Sequence, residues 1–176
     1  MRTTICAVFV LSLARLASAD VSLVTNGGFE TGDFTGWTVA GPPATQVRSG
    51  LQHSGDFRAE LHDGTISQFV VTNPGDTYTL DFWMLGFHGE MRASWDGQEL
   101  IAYDRGDTEY HHYVFTDLAA SSTSTELVFT SSSVAGIGET ELDDISVTTV
   151  VPEPAGLIGM LMGGAVLAAR RGSVRR

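Results

Sequence analysis

The chain has 176 residues, 21 acidic against 10 basic, with no lysine, so its net charge is −11 and its pI lies near 4.6. Such a surface repels phosphate backbones, which excludes nucleic acid as a partner. The only cysteine is Cys6, which excludes a disulfide-stapled scaffold and leaves stability to a packed core or a metal.

The N-terminal segment, residues 1–19, reads as a secretory signal. Arg2 supplies the positive end, Ile5 to Leu13 is nearly all apolar, and Ala17-Ser18-Ala19 is a small-residue cleavage site. Arg15 falls late in the segment, an uncommon place for a charge. Cleavage between Ala19 and Asp20 would also remove Cys6, so the exported chain would carry no thiol. Residues 20–150 are long enough for one domain with a sizeable core. They hold 20 of the 21 acids against Arg48, Arg58, Arg92 and Arg105, a net of −16 with histidines neutral. Solubility outside the cell accounts for that excess more simply than a dedicated cation-binding role does.

Helical periodicity is missing from this domain, and strand patterns run through it. Phe57, Ala59 and Leu61 alternate with Arg58 and Glu60. A turn at Asp63-Gly64 leads into Ile66 to Val71, and Asn73-Pro74-Gly75-Asp76 turns the chain again. Tyr78, Leu80, Phe82 and Met84 then alternate with Thr79, Asp81 and Trp83, the period-two pattern of a strand that buries one face. Met91, Ala93 and Trp95 lead through Asp96-Gly97, a strong hairpin signal, into Gln98 to Tyr103. Further strands are expected over Tyr110 to Thr116, Glu126 to Thr130 and Glu141 to Val150. Eight to ten short strands with turns at intervals of about ten residues predict an all-β, antiparallel sandwich.

Residues Leu23 to Trp37, with Asn26-Gly27-Gly28-Phe29-Glu30 at their centre, open the domain. Ser54-Gly55-Asp56-Phe57, Ile66-Ser67-Gln68, Pro74-Gly75-Asp76-Thr77-Tyr78 and Leu142-Asp143-Asp144-Ile145-Ser146-Val147 follow in order. The ordered set resembles galactose-binding-like jelly rolls, which include many carbohydrate-binding modules. The resemblance implies a jelly-roll β-sandwich and a calcium ion tying the start of the domain to its last strand, with Glu30 and Asp143 at the matching positions and Asp56 as a third contributor. From the residues alone, an Asp143 that shares a side with Ile145 and Val147 would be an inward carboxylate, costly unless paired or metal-bound. The alternative is that Glu30 caps loop amides and Asp143 is solvated at a strand end.

Trp83 is the candidate sugar platform, because it lies on the polar face of its strand and a flat ring stacks on the apolar face of a pyranose. Tyr110 and His112 are expected on the same outer sheet. A loop covering Trp83 is the competing arrangement. Trp37, Trp95 and Phe129 read as core. The histidines show no metal-site spacing, and His111 and His112 face opposite sides of one strand. No nucleophile elbow, phosphate loop or marked carboxylate pair is present, so the chain reads as non-catalytic.

The tail, residues 151–176, opens with Pro152-Glu153-Pro154, which cannot enter a helix interior. Ala155 to Ala169 is uncharged, and Arg170, Arg171, Arg175 and Arg176 follow. As a single hydrophobic helix the run would span roughly 22 Å against a hydrocarbon core of about 30 Å, short for a stable crossing. Breaker, apolar run and arginine cluster together resemble the PEP-CTERM sorting tail of bacterial exported proteins. That resemblance implies cleavage near Pro152-Glu153-Pro154 by an exosortase-like membrane transpeptidase, a transient inner-membrane stage, and delivery to the envelope, cell surface or extracellular polysaccharide matrix. The expected function is non-catalytic interaction with that polysaccharide. The alternatives are a structural matrix protein with an acidic, calcium-responsive surface and, third, a glycan-cleaving enzyme.

Overall fold

A computed structural model describes residues 21–149 apart from 43–44, 88, 105–107 and 134–137. The expected signal with its Ala19/Asp20 junction, and the tail with Pro152, Glu153 and Pro154, lie outside the described residues.

The alternation at residues 77–84 becomes the central strand of one sheet. Tyr78, Leu80, Phe82 and Met84 are fully buried, while Asp81 and Trp83 stand on the opposite side, half-buried. Ten strands are described in all: β1 Thr38–Ala40, β2 Gln46–Arg48, β3 Arg58–Leu61, β4 Thr65–Val71, β5 Thr77–Phe87, β6 Gly89–Trp95, β7 Gln98–Asp104, β8 His111–Ala119, β9 Ser124–Ser133 and β10 Glu139–Thr149. They form two five-stranded sheets with every described pairing antiparallel, in the orders β1-β4-β9-β6-β7 and β2-β3-β10-β5-β8. The expected jelly-roll sandwich is the observed fold. The three-residue strands β1 and β2 were not among the expected ones, since edge segments this short and this exposed carry no hydrophobic alternation.

The core lies between the sheets and is aromatic at its centre. Phe82 of β5 meets Phe129 of β9 edge-on at 5.0 Å and stacks on Tyr113 of β8 at 5.3 Å. Trp37 and Phe29 extend the cluster, and Tyr78 packs against Trp95. The polar handles are satisfied: Trp37 Nε1 donates to the Asn26 carbonyl and Trp95 Nε1 to that of Ala119, while the Tyr78 hydroxyl accepts from the Asn73 amide. Trp37, Trp95 and Phe129 are buried as expected.

The Asp96-Gly97 hairpin signal holds its expected geometry. Asp96 and Gly97 each have positive φ, 50° and 77°, as a type I′ hairpin requires. The segment before β1 is not a strand, yet it is stitched to β10: the Leu23 amide donates to the Val147 carbonyl and the Ile145 amide to that of Gly27. A Cβ on Gly27 would stand 1.8 Å from the Ile145 carbonyl oxygen, so this close approach needs glycine.

Strand β10 departs from simple alternation. Its register against β5 slips between Asp143 and Ser146, and Asp144 has φ of 51°, so one extra residue bulges out. Leu142 and Val147 both face the core, although their spacing of five would put them on opposite sides of a regular strand. Asp143 therefore does not share a side with Ile145 and Val147. It pairs with Trp83 and lies on the outer side of the sheet.

Candidate functional site

The outer face of the β2-β3-β10-β5-β8 sheet carries the polar partners of the core residues. Ala59, Leu61, Leu142, Leu80 and Phe82 point inward, which turns Arg58, Glu60, Glu141, Asp143, Asp81 and Trp83 outward. Four of these outward residues, Arg58, Glu60, Glu141 and Asp143, are nevertheless buried. Residues 49–54 fold over them and contribute backbone partners.

Arg58 is the hub of the buried part. Its Nε and Nη2 grip the two oxygens of Glu141, with Nη2 to Oε1 at 2.8 Å. Nη2 also donates to Glu60 at 2.9 Å, and Nη1 donates to the carbonyls of Ser49 and Gly50. All five guanidinium protons have an acceptor, the condition under which a buried arginine is tolerated. Burial alone would lower the Arg58 pKa, but the hydrogen bond to Glu141 and its charge hold it above the ordinary value. Burial pushes Glu141 up to about 7, against the lowering pull of Arg58.

Beside this network stand the aromatic residues expected to contact a ligand, and the structure brings all three together. Trp83 is in register with His112 on β8 and with Asp143 on β10. His112 stacks on the indole with centroids 4.5 Å apart and planes 8° apart. From the other side His53, whose amide donates to Asp143 Oδ2 at 2.8 Å, stacks at 3.8 Å and 13°. Trp83 thus stands on edge between two imidazoles rather than lying as an open plate. Each imidazole is anchored by a carboxylate: His112 Nε2 is 2.9 Å from Asp81, and His53 Nδ1 is 2.6 Å from Asp144. Tyr110 completes the group with its ring edge against His53 at 5.5 Å. The Tyr110 hydroxyl is buried without a hydrogen-bond partner among the described residues. Burial, reinforced by the charges of Glu141 and Asp143, pushes its pKa well up, so it remains a neutral donor.

The three residues expected to hold calcium lie around the end of this covering loop. Glu30 accepts from the amides of Asp56 and Phe57, at 3.1 and 3.2 Å. Asp143 is not solvated: it is fully buried, accepts from the amides of His53, Ser54 and Asp144, and has its pKa raised chiefly by desolvation. The Glu30 carboxylate lies against Gly55, where an ideal Cβ would stand 2.2 Å from Oε1, while Asp143 Oδ1 lies 3.9 Å from an ideal Cβ on Gly28. Each carboxylate is a hard oxygen donor of the kind calcium accepts. Asp56 is exposed, and its amide rather than its side chain meets Glu30.

Reasoning from sequence missed His53, because a loop residue far along the chain carries no pattern that would place it on Trp83. It also passed over His62. Among the described residues, Glu60, His62 and Glu139 form a compact set of ligand-capable side chains whose donor atoms lie within 4.8 Å of one another. The first two are two apart at the end of β3, a spacing that puts both on one side.

No family model and no curated protein matches the chain. Solved structures share its fold. TmCBM61 in complex with β-1,4-galactotriose superposes with a TM-score of 0.62 at 21% identity, over 73% of this chain and 99% of that one. The enzymatically active domain of bacteriophage CBA120 tailspike protein 4 gives 0.59 at 16% identity, over 73% of this chain but only 21% of that one. The xylan-binding CBM22-1 domain of Paenibacillus barcinonensis Xyn10C gives 0.55 at 15%, over 77% and 99%. At these identities the likeness establishes the carbohydrate-binding-module jelly roll as a fold.

Proposed function

We propose that this chain is an exported, non-catalytic protein that binds extracellular polysaccharide on the outer face of the β2-β3-β10-β5-β8 sheet. The carrying observation is the His53–Trp83–His112 stack with Tyr110 against it. It is a rigid aromatic ridge whose imidazoles are held by Asp144 and Asp81. Strand β8 is at the sheet edge, so the face of His112 turned away from Trp83 meets solvent and offers the flat contact that the indole itself does not. The carboxylates of Asp81 and Asp144, each about one-third exposed, are acceptors for sugar hydroxyls. The fold shared with a galactotriose-bound module and a xylan-binding domain supports the same ligand class.

Glu30 and Asp143 would hold a structural calcium, with Asp56 at its rim. The ion would tie the segment before β1 to β10 and stiffen the loop that carries His53. Signal cleavage at Ala19/Asp20 and processing at Pro152-Glu153-Pro154 by an exosortase-like enzyme would deliver the protein to the cell surface or matrix. This rests on the resemblance of the two ends.

Affinity electrophoresis of the purified protein through gels containing galactan, xylan or other soluble polysaccharides tests the binding. Retardation by at least one glycan is expected, and Trp83→Ala should weaken it about tenfold or more by collapsing the stack. Migration unaffected by every glycan, together with calcium-driven self-association, would replace this reading with a cohesive structural module. Mass spectrometry of the exported protein tests the processing: an intact tail would remove it.

A further inference from the structure

The cluster of Glu60, His62 and Glu139 is independent of the aromatic ridge and of the calcium ligands. It occupies the β3–β10 pair on the same outer face, but at the end of β10 far from Asp143, where Glu139 pairs with Phe87 rather than Trp83. His62 Nε2 lies 3.1 Å from Glu60 Oε1 and 3.1 Å from Glu139 Oε2. One imidazole nitrogen carries at most one proton, yet two carboxylate oxygens converge on it. A single N–H cannot point well at both. A cation at the shared point satisfies all three donors at once.

We propose that Glu60, His62 and Glu139 form a binding site for a divalent transition ion of the zinc type. Size and chemistry both favour it. Zinc bonds to imidazole nitrogen and carboxylate oxygen at about 2.0–2.2 Å, so neighbouring donors of a tetrahedral site stand roughly 3.3–3.5 Å apart. The two contacts of 3.1 Å need only a small expansion to admit the ion. Calcium, with its longer bonds, larger shell and preference for oxygen, fits neither the spacing nor the imidazole.

The surroundings are built to hold these ligands. Glu60 is almost wholly buried and is fixed by Arg58 through Oε2 and by Arg48 through Oε1, each at 2.9 Å, contacts that orient a metal-binding carboxylate from outside. The His62 main chain is clamped by Thr45, whose hydroxyl accepts from the His62 amide at 3.2 Å and donates to its carbonyl at 3.3 Å. The side chains of His62 and Glu139 are about one-third exposed, which leaves a way in from solvent and a fourth position for water or a ligand oxygen.

The test is calorimetric titration of the chelator-treated, dialysed full chain with zinc chloride, in the presence of excess calcium to occupy oxygen-only sites. One zinc per chain is expected, with affinity reduced at least about tenfold in His62→Ala and in Glu139→Gln and unchanged in His53→Ala and His112→Ala. Since His62 and Glu139 are partly exposed, both variants should keep the parent melting curve without zinc, which separates loss of the site from loss of the fold. Zinc binding that survives His62→Ala, that is lost only in His53→Ala or His112→Ala, or that calcium abolishes would overturn the proposal. So would the absence of any binding at micromolar zinc.

Discussion

Arg58 shows how much one side chain can organise. It joins two strands, β3 and β10, and the covering loop through Glu141, Glu60, Ser49 and Gly50, and no water is needed to complete its donors. Removing it leaves Glu141 buried beside Glu60 without a counter-charge. Arg58→Ala should therefore cost about 3–5 kcal/mol in urea unfolding. Arg48→Ala should cost less than about 1 kcal/mol, because that guanidinium is half-exposed and screened. Comparable losses in the two variants would mean that the network is not buried as described. The same burial sets a pH dependence. The pKa of Glu141 rises from 4.5 to about 7 on folding and that of Asp143 also rises, so the folded chain retains protons that the unfolded chain has released. Stability should then fall as pH increases from about 4.5 through about 7, the opposite of ordinary salt-bridged carboxylates. Thermal melts across that range in chelator would show it, and a rise instead would mean that both groups are held ionised.

At the scale of elements, the strands were legible wherever one face is apolar. Tyr78, Leu80, Phe82 and Met84 marked β5, and Asp96-Gly97 marked the β6–β7 turn. The bulge in β10 was not legible, because Asp143-Asp144 reads as ordinary strand until pairing with β5 forces an extra residue out at Asp144. That single residue decides that Asp143 lies beside Trp83 and not in the core. The Gly27–Ile145 contact ties the opening segment to the same strand. Gly27→Ala should destabilise by about 1–3 kcal/mol through overpacking against a backbone carbonyl that cannot swing away. Gly50→Ala is the contrasting variant: its position is crowded by nothing within 4 Å, so only its positive φ of 82° opposes the change. Equal effects from the two would mean that the close approach is not what Gly27 serves.

For the whole molecule, the covering loop is the shared element. It carries His53 for the aromatic ridge, accepts Arg58 through its carbonyls, and donates amides to Asp143, while Asp56 and Phe57 just beyond it donate theirs to Glu30. A calcium ion at Glu30 and Asp143 should stabilise that loop together with the fold. By mass action a hundredfold excess over the dissociation constant adds about 2.7 kcal/mol. The melting temperature should rise with calcium over chelator, and the rise should vanish in Glu30→Ala. A shift that persists in that variant would place the ion elsewhere. Because the loop also positions His53, calcium should strengthen glycan retardation as well as stability. Gain of one without the other would separate the two sites.

Hydrophobic alternation and turn chemistry are local properties, so the all-β class, most strand positions, the core aromatics and the outward side of Trp83 could be read along the chain. It also carried the signal-like and sorting-like ends, which are linear patterns. What covers that outward side follows from long-range packing. His53 reaches Trp83 across 30 positions, Arg58 reaches Glu141 across 83, and Glu139 meets Glu60 and His62 through a strand pairing that no local pattern encodes. Long-range pairing in a sandwich follows from how two sheets close over one core, and the chemistry of this face is set by that closure.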